Sequence, residues 1–275
     1  ESAQGNLAGR PGGRQPMSAS LEDPHIVPMA RSRPRALVLR APGTNCDRET
    51  VHALEIAGGA AEAVHMERVL AGGVAIDDYA LIVLPGGFAF GDHLGAGALW
   101  ANSLAALGEP LHRFVESGRP VLGICNGFQA LTRLGLLTGG ALAPNLSGHY
   151  ECRWVWLEKP SPVTTPFLEG IERMSLPVGH GEGRFVAESD DVLAAKQASG
   201  EVALVYRDAS GKPGGYPVNP NGSQGAVAGL TNAAGNVLGL MPHPDRNAAP
   251  GLAPAGRQDA DGLRLFANAV RMAKG

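Results

Sequence analysis

The stretch that most constrains this chain is Arg119-Pro-Val-Leu-Gly-Ile-Cys-Asn-Gly-Phe-Gln-Ala-Leu-Thr-Arg-Leu134. Val121, Leu122 and Ile124 form a short apolar run of strand-like residues entered from Pro120, and Phe128, Ala130, Leu131 and Leu134 then recur at helical spacing. Cys125 therefore falls at a strand-to-helix corner. Gly123 and Gly127 flank it two residues away on either side, the layout of a nucleophile elbow with cysteine where hydrolases carry serine. The glycines let the backbone turn sharply and leave the thiol uncrowded. A helix N-terminus at that corner favours thiolate over thiol. A lone cysteine reads more simply as an inert core residue, and the flanking glycines reverse that reading.

The strands before and after this corner set the fold. Ala36–Leu39, Ala63–Met66 and the continuously apolar Ala80–Leu84 read as strands, alternating with a helix from Asp47 to about Ala57 and another reaching about Ser117. Four strands alternating with helices predict an α/β chain: a doubly wound, mostly parallel sheet flanked by helices, of the flavodoxin-like kind, with ligands at the carboxyl ends of the strands. Beyond Leu137 the pattern becomes a β-rich C-terminal part, with strand segments at 152–157, 176–178, 184–186 and 202–206. A hairpin, 226–231 and 236–241, delivers Pro242-His243-Pro244-Asp245, and a closing helix runs from Gly262 to Lys274. No second domain is visible in 35–275. Residues 1–34, rich in Gly, Pro, Ser and Arg without apolar periodicity, read as a disordered N-terminal extension, with Met29 as a natural start or the segment as a partner-binding arm.

His243 is the natural partner for Cys125. It lies far downstream at a strand end, between two prolines that stiffen its backbone, and Asp245 stands two residues on, where it can orient the imidazole. Cys125, His243 and Asp245 thus form a candidate triad. Acyl transfer also needs donors for an oxyanion, and the backbone N–H groups of Gly86-Gly87 after the third strand and of Asn126 after the nucleophile can supply them. Taken singly, His243 reads as a loop histidine and Gly86-Gly87 as a tight turn; together with the elbow they read as chemistry.

Composition narrows the class. Lys+Arg 23 against Asp+Glu 26 gives a net charge of −3, with no excess that would point to nucleic acid or an anionic membrane. Three scattered cysteines, with no C-x-x-C pair, argue against a disulfide framework or a metal site and suit a reducing cytoplasm. No apolar run approaches a membrane span. Gly91-x-x-x-Gly95-x-Gly97 is not a dinucleotide fingerprint, and no Gly-Lys-Ser/Thr makes a phosphate loop.

With these residues in place the sequence resembles the class I glutamine amidotransferases, and among them the glutaminase subunits of phosphoribosylformylglycinamidine synthase. The likeness rests on Gly123-Ile-Cys-Asn-Gly-Phe-Gln129, Leu84-Pro-Gly-Gly-Phe88 with Gly91-Asp92, and Gly235-Asn-Val-Leu-Gly-Leu-Met-Pro-His-Pro244. Narrower segments decide the subfamily: Gly43-Thr-Asn-Cys-Asp47, Gly179-His-Gly-Glu-Gly-Arg184 and Tyr216-Pro-Val-Asn-Pro-Asn-Gly-Ser223. The resemblance implies that Cys125 attacks the side-chain amide of glutamine and that Gln129 is a glutamine-binding position. It further implies ammonia delivery to a large synthetase subunit, accompanied by a small accessory subunit. ATP and magnesium would bind that partner, and this chain would carry no cofactor. The family usually has His-Pro-Glu-Arg where this chain has His243-Pro-Asp-Arg246, one methylene shorter, and retained activity is expected.

The resemblance puts His180, Glu182 and Arg184 near the glutaminase site or the synthetase interface, against a purely structural ion-pair cluster. Trp154 and Trp156 share one strand face and read as core or interface packing. Two competing readings remain. A peptidase- or deglycase-like cysteine hydrolase on a similar sheet would normally take its histidine from the residue after the cysteine, where this chain has Asn126. A non-catalytic binding module is disfavoured by the intact triad.

Overall fold

The structure is a computed structural model that describes residues 33–275 except 164 and 258; the expected N-terminal extension lies almost wholly outside the described residues. The chain runs β1 (Arg35–Arg40), α1 (Asp47–Ile56), β2 (Ala60–His65), α2 (Met66–Leu70), β3 (Leu81–Leu84), α3 (Ala98–Ala105), α4 (Glu109–Glu116), β4 (Val121–Ile124), α5 (Asn126–Arg133), β5 (Gly140–Pro144), β6 (Glu151–Glu158), β7 (Arg173–His180), β8 (Glu182–Ala187), α6 (Asp190–Ser199), β9 (Val202–Arg207), β10 (Val227–Thr231), β11 (Val237–Leu240) and α7 (Asp261–Met272).

One nine-stranded sheet, in the order β2-β1-β3-β4-β11-β10-β9-β6-β7, organises these elements, and β5 pairs with β8 in a separate ribbon. The pairs from β2 through β11 are parallel; those from β11 through β7 are antiparallel. β11 is the seam, bound in parallel to β4 on one side and antiparallel to β10 on the other. The residues of β3 and β4 are all buried, as strands covered on both faces must be. Apart from β5 and β8, the β-rich C-terminal part is thus the second half of the same sheet, and the expected α/β architecture holds.

Two local expectations need correction. The helix expected to reach Ser117 is two helices, α3 and α4, separated at Gly108 (φ 54°). Pro110, at the start of α4, cannot donate into a preceding turn, so a continuous helix is excluded there. The second strand ends at His65, whose side chain caps α2 by accepting from the Glu67 N–H, so Met66 belongs to a helix. Besides α2, two elements were absent from the sequence reading: β5, and α6, which Ser189 caps by accepting from the Val192 N–H and Gly200 (φ 79°) closes.

The helices hold the strand ends by close backbone approach. A Cβ on Gly127 would stand 1.9 Å from the Leu84 carbonyl oxygen, so α5 lies against β3 as only glycine permits. Likewise a Cβ on Gly262 would meet the Pro244 carbonyl oxygen at 1.9 Å, which sets α7 directly on the turn that follows His243. No helix among the described residues is long and apolar enough to cross a membrane.

Candidate active site

Four parallel strands end at one place and bring the candidate residues together. β4 delivers Cys125, β11 delivers His243, β3 delivers Gly86-Gly87 and β1 leads to the 43–47 loop. Register fixes the first two: Leu240 sits beside Ile124, and the Cys125 N–H donates to the Leu240 carbonyl at 2.8 Å. The β2-β1-β3-β4 order reverses direction between β1 and β3, which is where an α/β sheet opens a crevice for ligand.

Cys125 adopts φ 50°, ψ −105°, a conformation unfavourable for a residue with a Cβ, and is 5% exposed. This is the sharp strand-to-helix corner expected from the sequence, and it is strained. Its Sγ lies 3.7 Å from the Gly179 carbonyl oxygen, and the backbone N–H of Asn126 faces the sulfur. The expected thiolate is not what the site favours at rest. Burial, reinforced by the Cys46 sulfur, pushes the Cys125 thiol up to about 12, and Arg246 with the Asn126 N–H offsets only part of this. Desolvation outweighs the dipole of an eight-residue helix.

His243 and Asp245 are both buried, with His243 Nδ1 3.3 Å from Asp245 Oδ1. That is ion-pair distance without hydrogen-bond alignment, and Nε2 is also without a hydrogen-bond partner. No hydrogen bond joins Cys125 to His243 among the described residues, so the three candidate residues stand at neighbouring strand ends without a closed relay.

Gly86 and Gly87 are required by crowding as much as by turning. A Cβ on Gly86 would stand 2.5 Å from His243 Cε1, and Gly87, at φ 146°, has Asn45 N 2.7 Å from where its Cβ would be. The Asn126 side chain ties the loop after β3 to α5: its Oδ1 accepts from the Ala89 N–H at 3.0 Å, and its Nδ2 donates to Asp92 Oδ1 and Gln129 Oε1. Gln129 is buried, and its Nε2 donates to the Glu182 carbonyl at 2.6 Å. Its amide is thus committed to protein partners.

Cys46, to which the sequence reading assigned no role, also reaches the site. Its sulfur, a ring nitrogen of His243 and a carboxylate oxygen of Asp245 all lie within 4.8 Å of one another. The thiol donates to Asn45 Oδ1 at 3.3 Å, accepts from Arg246 Nη2 at 3.2 Å, and is held up to about 11 by burial. Its signal was the Gly43–Asp47 segment, recognised as narrow but not as part of the site. Tyr150 was missed as well: its hydroxyl would stand 3.0 Å from a Cβ on Gly179, and its ring lies 6.3 Å from Phe88, at the site's outer wall.

His180, Glu182 and Arg184 do not form an ion-pair cluster. His180 meets Asn145, Glu182 Oε2 accepts from the Ala96 N–H, and Arg184 Nε donates to the Pro144 carbonyl. Trp154 and Trp156 are half-buried, with the Arg173 and Arg257 guanidinium groups over the Trp156 ring at 5.0 and 5.1 Å.

A model of the CobB/CobQ-like glutamine amidotransferase domain matches residues 33–273. The chain belongs to this family. Among curated relatives it is 39% identical over 257 residues to the phosphoribosylformylglycinamidine synthase subunit PurQ of Dehalococcoides mccartyi, covering 88% of this chain and 99% of that one. The PurQ subunit of Pyrococcus horikoshii is 41% identical over 241 residues, covering 86% and 97%. Within the amidotransferases, therefore, the chain belongs with the PurQ subunits. A chain in the structure of PurLQS from Thermotoga maritima matches with a TM-score of 0.70 at 37% identity, over 87% of this chain and 99% of that one. The family membership makes the shared fold expected, and the amidotransferase class agrees with a cysteine at the strand end.

Proposed function

We infer that this chain is the glutaminase component of a phosphoribosylformylglycinamidine synthase, acting in purine biosynthesis as part of a complex with other subunits. The observation that carries the chemistry is the strained Cys125 corner, with the Asn126 N–H at its sulfur and His243 on the neighbouring strand.

Because the resting thiol holds its proton, His243 removes it as the glutamine carboxamide arrives, using the nitrogen not turned toward Asp245. The sulfur adds to the carboxamide carbon, and the oxyanion is held by the Asn126 N–H and the backbone near Gly86-Gly87. The imidazolium then returns its proton to the nitrogen as the C–N bond breaks, releasing ammonia and leaving a glutamyl thioester on Cys125. Water, deprotonated by His243, adds to the thioester; expulsion of the protonated sulfur gives glutamate and restores the thiol. Asp245 steadies the imidazolium in both halves. Gln129 acts here by bracing α5 against Glu182, so its service to glutamine is through the shape of the wall.

The ammonia passes to a large synthetase subunit assisted by a small accessory subunit, and ATP with magnesium binds there. The test is glutamate release and product formation by the reconstituted complex, wild type beside Cys125→Ala. Glutamate-linked synthesis in the first and its loss in the second supports the reading. Cys125-independent release would sink it.

A further inference from the structure

His180 is left over by this mechanism, yet it carries an oddly prepared nitrogen. It ends β7, directly after Gly179, whose carbonyl oxygen lies 3.7 Å from the Cys125 sulfur, and it is 3% exposed. Its Nδ1 is 3.1 Å from Asn145 Oδ1. The Asn145 amide nitrogen donates to the His149 and His180 carbonyls at 2.9 and 2.7 Å, so the atom facing His180 is the oxygen, an acceptor. Nδ1 therefore carries the proton, and Nε2 presents a bare lone pair. That Nε2 is buried with no hydrogen-bond partner. The ring is also fixed in place, since a Cβ on Gly183 would stand 2.6 Å from its Nδ1 and 2.9 Å from Met241 Cε.

A buried acceptor left bare on a ring whose other nitrogen is held by Asn145 calls for a ligand with an N–H or O–H to give. Here burial and the neighbouring His243 push the His180 pKa down to about 3, so the ring stays neutral. It can accept a hydrogen bond from a ligand but has no proton to hand over. The ligand that needs such treatment is ammonia, because an acidic neighbour would convert it to ammonium and remove the lone pair that makes it a nucleophile.

Building on the glutaminase reading of this same site, we propose that His180 Nε2 accepts a hydrogen bond from the carboxamide nitrogen of bound glutamine and, after C–N cleavage, from the ammonia released. His243 supplies the proton that makes the leaving group; His180 holds the product neutral on its inner side.

Two conservative variants in the complex with its synthetase subunits separate this from a structural role. His180→Gln can place an acceptor oxygen near the Nε2 position, whereas His180→Asn keeps a donor for Asn145 and loses the far acceptor. The expected result is a glutamine-dependent kcat about tenfold higher for the Gln variant than for the Asn variant, the scale of one hydrogen bond to a reacting group. With ammonium salt in place of glutamine, both variants should match wild type, which also reports that they fold and dock. The reverse order, or equal loss in both, overturns the proposal while leaving glutaminase activity of the wild type intact. A wild-type complex that releases no glutamate takes down the glutaminase reading itself, and the proposal with it.

Discussion

The two halves of the sheet contribute to the site in different ways. The parallel half supplies Cys125, His243 and the Gly86-Gly87 turn from strand ends, so register and close packing set their positions. The antiparallel half supplies Gly179 and His180 as walls, and the β5–β8 ribbon beside it adds Glu182, through carbonyl oxygens and a buried ring. The helix contacts differ accordingly. In the parallel half Gly127 leaves no room for a methyl group, whereas at Gly181, between β7 and β8, a Cβ would have only Tyr150 near it, at 4.0 Å. α5, which begins directly after Cys125, is thus held by backbone that leaves no space, whereas the turn at Gly181 leaves room.

The sharpest break between the halves is in catalysis. His243→Ala should lower the glutamine-dependent kcat by about 1,000-fold or more, the usual cost of removing the base of a nucleophile pair, and steady-state rates of the complex will show it. A loss no larger than that of His180→Asn would erase the distinction. Next in size is packing: Gly127→Ala should destabilise the chain by about 3 kcal/mol, the cost of forcing a methyl group into closed space. Gly181→Ala should stay within about 0.5 kcal/mol. Denaturant melts of the two variants measure both, and equal stability would show that α5 can shift.

A third expectation concerns protonation. Because burial raises Cys125 above an ordinary thiol, its thiolate fraction at neutral pH is small and should grow about tenfold per pH unit until the pKa is reached. Without glutamine, iodoacetamide should therefore label exposed Cys152 first, and Cys125 and Cys46 only as the pH climbs. Peptide mass spectrometry across pH 7–10 decides it; fast labelling of Cys125 at neutral pH would mean the helix dipole prevails. The smallest effect is at the shortened acid. Asp245→Glu should bring the carboxylate into hydrogen-bond range of His243 Nδ1 and raise kcat about threefold, as one better-aligned charge-assisted bond would. A fall in kcat would mean that the pocket is shaped to aspartate.

Legibility in the sequence followed the same division. The parallel half was readable because its signals are local: an unbroken apolar run at 81–84, glycines around Cys125, prolines around His243. β11 was readable as half of a hairpin, but its parallel pairing with β4, which places His243 beside Cys125, arises from tertiary contact between distant segments. β5, Gly-Ala-Leu-Ala-Pro, has weak strand propensity and exists through pairing with β8. α6 is a different case, since Ser189 and Gly200 were legible start and stop signals that its weak amphipathicity obscured. In the site, Cys46 escaped notice because its importance lies in proximity to His243, which spacing cannot show. The protonated state of Cys125 escaped for a similar reason: a dipole can be inferred from a helix start, whereas burial needs the surrounding walls.

The measurement that bears most directly on covalent chemistry at the strained corner is acid quenching of the complex during turnover with glutamine, followed by peptide mass spectrometry. A glutamyl adduct is expected on the peptide carrying Cys125 and none on Cys46, whose thiol lies near the same histidine. An adduct on Cys46, or steady glutamate release in Cys125→Ala, would contradict that expectation.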